Sequence, residues 1–228
     1  MLLGCAFFIF LGMWQIDRAQ QKREILTAYA KAPKIALNQL KADTPLYSNV
    51  TGMGKWLPQQ LLLDNQILNG RQGVHVLTPV LLKTGHLLLV NRGWLPMAAD
   101  RRSLPSVKQS TELLQLSGRT APLPQPGLKL GDQDKLDKQW PQLITYVDAQ
   151  QLQAFYAEVL EQPQLQLLPY ILKLTSTHID GFAAVSSSPV NFGPDRHLAY
   201  AYTWFSLALT VLITYMLLSL RKKTVHGQ

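Results

Sequence analysis

His197 is the residue whose setting most suggests chemistry. It follows Pro194, Asp195 and Arg196 and opens an uncharged run from Leu198 to Leu220. Asp195 is placed to cap the first turn of a helix there and to meet the positive end of its dipole. Tyr200, Ala201, Trp204 and Ala208 follow His197 at spacings of three, four, seven and eleven, so they share roughly one helical face. An imidazole among aromatic and small residues at a membrane boundary suits axial ligation of haem iron, with the flat macrocycle lying against the helix. The more common meaning of such a pattern is a satisfied polar histidine beside an interfacial aromatic belt, and spacing alone leaves both readings open.

A second constellation is Leu87 to Pro96, an apolar strand ending in Asn91, Arg92, Gly93 and Trp94. Asn and Gly there predict a tight turn or bulge that presents Arg92 and Trp94 at the rim. Arg92 would then suit a carboxylate, which a guanidinium fork grips well. The plainer alternative is a hairpin corner with Trp94 in the core. His75, His86 and His178 are isolated in strand or loop context, and each is assigned a structural role. The chain has no G-x-S-x-G, H-E-x-x-H or phosphate-loop motif. Its single cysteine, Cys5, excludes an intrachain disulfide and a CxxC redox or copper site.

These residues need elements to hold them. Leu198 to Leu220 covers about 34 Å as a helix, enough for a hydrocarbon core of about 30 Å. Arg221, Lys222 and Lys223 follow it. A second apolar run, Leu2 to Trp14, lacks the basic start and cleavage site of a signal peptide and reads as an uncleaved anchor. It covers only about 20 Å. Either the native start lies upstream, or bilayer thinning and snorkelling of Arg18 complete the span. Gln15 to Lys31 continues in good helix formers, so the helix is expected to project from the membrane with Trp14 at the interface.

Between the ends the period changes. Tyr47–Trp56, Gln60–Gln66, Gly73–Leu82, His86–Val90, Glu112–Arg119, Leu143–Asp148 and Gln164–Thr175 read as short strands, joined as antiparallel hairpins. Ala121 to Trp140 reads as a long surface loop. Asp148 offers an N-cap to a helix with Leu152, Phe155, Val159 and Leu160 on one side. The expected fold is an α+β membrane protein, with two transmembrane helices at the termini flanking one β-rich extracytoplasmic domain that carries at least one packed helix. The segments are a first span over 1–16, a juxtamembrane helix over 17–34, the β-rich domain over 35–193, a second span over 194–220 and a basic cytoplasmic tail over 221–228.

The net charge of +8 includes three basic residues after the last apolar run, and the other 19 Lys and Arg are scattered among all 14 acids without a basic run or an RNA-binding motif, so nucleic acid is excluded as a partner and a surface facing anionic lipid or an acidic partner is favoured. The basic cluster after Leu220 places the C-terminus in the cytoplasm, whereas Arg18, Lys22 and Arg23 argue for the domain there. The tail cluster is short, undiluted and next to its span, so the domain is taken as external.

Several blocks together resemble one family. Leu11, Gly12, Trp14, Gln15, Arg18 and Lys22 are similar to an LGxWQxxRxxxK entry; Gly52, Asn65 and Gly73 to Pro79 are similar to internal β segments. Val90 to Pro96 (VNRGWLP) resembles the family's strand and turn, and His197, Tyr200, Ala201, Trp204 and Phe205 its H-x-x-Y-A-x-x-W-F final helix. The family is the Surfeit locus cytochrome c oxidase assembly factors, here of the bacterial type. The resemblance implies a non-enzymatic, multi-pass protein of the bacterial inner membrane with both termini cytoplasmic and the domain periplasmic. It implies binding of haem a and help in its insertion into cytochrome c oxidase subunit I, with haem a synthase as a further candidate partner. His197 would ligate the iron, Trp14, Tyr200 and Trp204 would shield the macrocycle, and Arg18 or Arg92 would pair with its propionates. The alternative is a scaffold that stabilises apo subunit I without binding haem. A membrane-tethered enzyme with an external active site is the remaining and weakest reading.

Overall fold

The computed structural model describes residues 2–98, 103–107, 113–125, 136–175, 182–183 and 188–225. The chain divides into two compact units, one of residues 31–187 and one of residues 1–30 with 188–228.

The first of these is built on a sheet of eight strands: β1 (Lys34–Ala36), β2 (Asn49–Lys55), β3 (Leu61–Leu68), β4 (Arg71–Leu81), β5 (His86–Pro96), β6 (Leu113–Pro122), β7 (Gln142–Ile144) and β8 (Gln166–Leu174). Their spatial order is β1-β2-β6-β8-β5-β4-β3-β7. Local chemistry sets the hairpins. Asn69 and Gly70 both take positive φ (50° and 75°), the conformation a two-residue hairpin turn needs between the paired Leu68 and Arg71. Gly85, at φ 80°, closes the next turn, from β4 to β5.

The expectation of antiparallel strands is met in part, and the sheet is mixed. Three of the seven pairings among the described residues are parallel: β1 with β2, β3 with β7 and β5 with β8. The physical reason is visible in β5, whose Leu87, Leu88, Leu89 and Val90 are all buried. A continuous apolar run belongs to a strand covered on both faces, which is where parallel pairing is found.

One face of the sheet is covered by α2 (Ala149–Val159), which Asp148 caps by accepting from the backbone N–H groups of Gln150 and Gln151. Leu152 and Tyr156 of α2 pack on Leu61, Leu87, Leu89 and Ile171. Tyr156, rather than the anticipated Phe155, is the fully buried aromatic; it donates to Gln59 O at 2.7 Å and stacks on Trp140. On the other face Leu37, Leu40, Trp56, Val80, Leu88 and Tyr170 form the core. The stretch from Ala121 to Trp140 is not simply a surface loop. Ala121 and Pro122 close β6, Leu123, Leu136 and Trp140 pack against the α2 core, and residues 126–135 lie outside the described set.

The second unit holds α1 (Leu2–Lys31) and α3 (Pro194–Val225). Pro194 suits the first turn of α3 and Asp195 lies in that turn, favourable to the dipole. The helices run antiparallel: Cys5 Sγ lies 3.6 Å from Ala208 O, Phe8 stacks on Trp204, and Gln15 meets His197. Among the described helices α3 alone, over Pro194–Leu220, is long and apolar enough to cross a membrane. The expectation of two such helices is therefore met at α3 only, because α1 turns polar from Gln15 onward. There Gln21 bonds Asp17 and Gln20 bonds Glu24 on exposed surface.

Candidate functional site

Within the helix pair, Phe8, Gly12, Gln15 and Ala19 of α1 are spaced four, three and four apart, and so are His197, Ala201, Trp204 and Ala208 of α3. Each set therefore forms one stripe along its helix, and the two stripes face each other. Ala19, Ala201 and Ala208 are buried, and a Cβ at Gly12 would sit 2.5 Å from the Phe205 ring. Small residues let the two backbones approach closely enough for side chains above and below to touch.

His197 is half-buried at one end of this interface, its Nδ1 2.8 Å from Gln15 Oε1. Nε2 lies outside that bond, so one ring nitrogen remains for a ligand. Toward the opposite end, Trp204 is half-buried with its ring stacked on Phe8, centroids 5.8 Å apart and planes inclined by 19°. Tyr200 is 57% exposed and Trp14 51% exposed, leaving aromatic faces open around the histidine's level of the pair. Arg18 is exposed, and its Nη1 donates to Gln21 Oε1 at 2.7 Å. A half-buried imidazole with one nitrogen tied, uncovered aromatic planes and an exposed guanidinium fits the chemistry of haem binding.

Arg92 belongs to the β-rich unit, and the rim position expected for it is corrected. The strand does not end at Asn91. β4 pairs with β5 so that Val76 opposes Gly93 and Leu77 opposes Asn91, which leaves Arg92 as the extra residue of a bulge. The bulge turns Arg92 inward, where it is 3% exposed. Its guanidinium lies over the rings of Trp56 (5.1 Å) and Phe182 (4.7 Å) and reaches Thr78 Oγ1 at 3.5 Å. Ala183 bridges to Trp94 through backbone bonds in both directions, occupying the side of β5 beyond the last β8 partner. Gly93 is needed there: at φ 132° it brings the strand so close that a Cβ would meet Ala183 O and Phe182 Cβ, each at 2.7 Å. Trp94 is buried and donates from Nε1 to Gln66 O, in keeping with the core alternative.

The other histidines among the described residues are His75 and His86. The His75 imidazole is held down to about 4, first by burial and then by the Lys173 charge, while burial also lowers the Lys173 ammonium. His86 Nδ1 is 3.0 Å from Thr84 Oγ1 beside an open hollow of about 490 Å³ lined by residues 84–86 and 162–166. His178 lies outside the described residues. Among the described residues no group of three or more His, Cys, Asp or Glu could hold a metal ion.

Sequence reasoning missed Gln15 and Phe8 as members of the site. The signal was the shared four-three-four spacing of the two helices, which marks each as the other's partner.

The architecture is that of an α+β protein with one helix, α3, long and apolar enough to cross a membrane among its described residues, and the candidate histidine lies on that helix and not on the sheet. The model of the SURF1 family matches residues 2–209, and the chain belongs to that family. Its members are in general cytochrome oxidase assembly factors and not a known class of enzyme. The chain is similar to a SURF1-like protein of Rickettsia felis, 27% identical over 95% of this chain and 93% of that protein. It is also similar to a SURF1-like protein of Rickettsia bellii, at 26% over 94% and 87%, and to one of Monosiga brevicollis, at 27% over 91% and 82%.

Proposed function

We propose that this chain is an oxidase assembly factor that binds haem a as cargo through His197 and helps insert it into cytochrome c oxidase subunit I. The observation that carries the reading is the half-buried His197, tied at Nδ1 and free of that bond at Nε2, at one end of a closely packed helix pair. Trp14, Tyr200 and Trp204 supply aromatic surface for a macrocycle, and Arg18 supplies a cation for a propionate. Arg92 has no part in this reading, because its guanidinium is already enclosed by two rings.

In this reading both helices lie in a bacterial inner membrane with the termini cytoplasmic and the β-rich domain periplasmic. Support for α1 is its pairing: residues 5–15 run antiparallel alongside residues 197–208 of α3, so where α3 crosses hydrocarbon the start of α1 lies beside it. Support for α3 lies in its hydroxyls. Thr203, Ser206, Thr210 and Thr214 each donate to the carbonyl four residues earlier, which satisfies them without water.

The second reading is a scaffold for apo subunit I, and the uncovered apolar surface of α3, including Leu209, Leu217 and Leu220, favours it as a docking face for other helices. Complementation separates the two. In cells lacking their own factor, His197→Ala should insert normally yet yield subunit I deficient in haem a. A full haem complement in that strain would refute the cargo reading and leave the scaffold.

A further inference from the structure

We propose that Gln15 is a positioning residue that fixes His197 as the Nδ1–H tautomer and leaves Nε2 as its ligating nitrogen. The proposal rests on the haem-binding reading above and adds a second residue, from the other helix, to the site.

The Gln15 amide turns its carbonyl oxygen, Oε1, to the ring at 2.8 Å, and an oxygen that accepts assigns the proton to His197 Nδ1. In a neutral imidazole the lone pair then resides on Nε2. Without the amide, neither nitrogen of His197 has a protein partner among the described residues, and the two tautomers would compete. Gln15 and His197 are 182 residues apart in sequence and are both half-buried, so the bond exists only when α1 and α3 are paired. Pairing is set by the small-residue contacts at Gly12, Ala201 and Ala208, which gives Gln15 one reach to the ring. Histidines that ligate metals recurrently donate their second N–H to an acceptor, which sets the ring's orientation and raises its basicity; losing such a partner typically costs about 10–100-fold in affinity.

The test uses the full chain in lipid nanodiscs with ¹⁵N-labelled histidine, before any haem is added. Long-range ¹H–¹⁵N correlation reports which ring nitrogen bears the proton. The wild type should show His197 protonated at Nδ1, Gln15→Glu should keep that pattern because a carboxylate also accepts, and Gln15→Met should lose it. Haem a titration should then show about 10–100-fold weaker binding for Gln15→Met, with rescue by Gln15→Glu and a shifted iron–histidine stretch between the variants. A wild-type His197 protonated at Nε2, or a tautomer indifferent to Gln15→Met, would overturn the proposal even if that variant folds poorly, because the wild-type spectrum alone decides the first point. Haem binding unchanged by His197→Ala, with the tautomer as predicted, would instead refute the cargo reading and leave Gln15 as a structural partner of the histidine.

Discussion

Arg92 and His197 carry similar signals in the sequence, a polar residue next to aromatics at the end of an apolar stretch, and the structure treats them in opposite ways. The difference is the bulge, which turns Arg92 into the space between Trp56 and Phe182. Whether a bulged residue points in or out depends on the partner strand's register, which the local sequence does not contain. Planar stacking between two rings makes lysine a poor substitute, and a desolvated cation–π contact is worth about 2 kcal/mol or more. Arg92→Lys is therefore expected to lower the stability of the β-rich domain by about 1–2 kcal/mol in denaturant titration while leaving haem content unchanged. His75 supplies a pH test. Its folded value near 4 lies below the ordinary 6.5, so as pH falls below 6.5 the unfolded chain takes up a proton that the folded ring refuses. Stability should fall with a slope of up to about 1.4 kcal/mol per pH unit until the folded ring also protonates near pH 4. His75→Gln should flatten that segment of a stability–pH curve.

At the scale of elements, the strands were legible where turn chemistry or burial is local. Asn69-Gly70 announces the hairpin between β3 and β4, and the buried Leu87–Val90 run announces a central strand. The parallel neighbours were not legible, since the residues that pair between β5 and β8 lie 80 or more positions apart and nothing local encodes that pairing. The helix pair was half legible. The stripe through His197, Ala201, Trp204 and Ala208 stood out as a face, but Tyr200, at three residues from His197, falls outside the contact and is exposed. What the stripe faces became clear only once α1 lay beside it. The approach at Gly12 leaves no room for a larger side chain, so Gly12→Leu should separate α1 from α3. Oxidative cross-linking between Cys5 and an Ala208→Cys variant reads this directly: it should be efficient alone and strongly reduced once Gly12→Leu is added. Undiminished cross-linking would show that the pair tolerates the side chain.

Across the whole molecule, the family match extends over both units, from residue 2 to residue 209, while the histidine proposed as a ligand lies in one of them. The β-rich unit offers a half-buried Lys173, a half-buried neutral His75 and a buried Arg92, but no metal-binding cluster among its described residues. The helix pair offers a histidine with one nitrogen tied, open aromatic faces and an apolar helix fit for a membrane. Retention of haem a by His197 is the property on which the proposed function turns. Its most direct measurement is the absorption spectrum of the purified full chain, produced in membranes that make haem a, for wild type and His197→Ala side by side. A haem a spectrum in the wild type that is lost in a folded, inserted His197→Ala is the predicted result. Equal haem in both, or none in either, would contradict it.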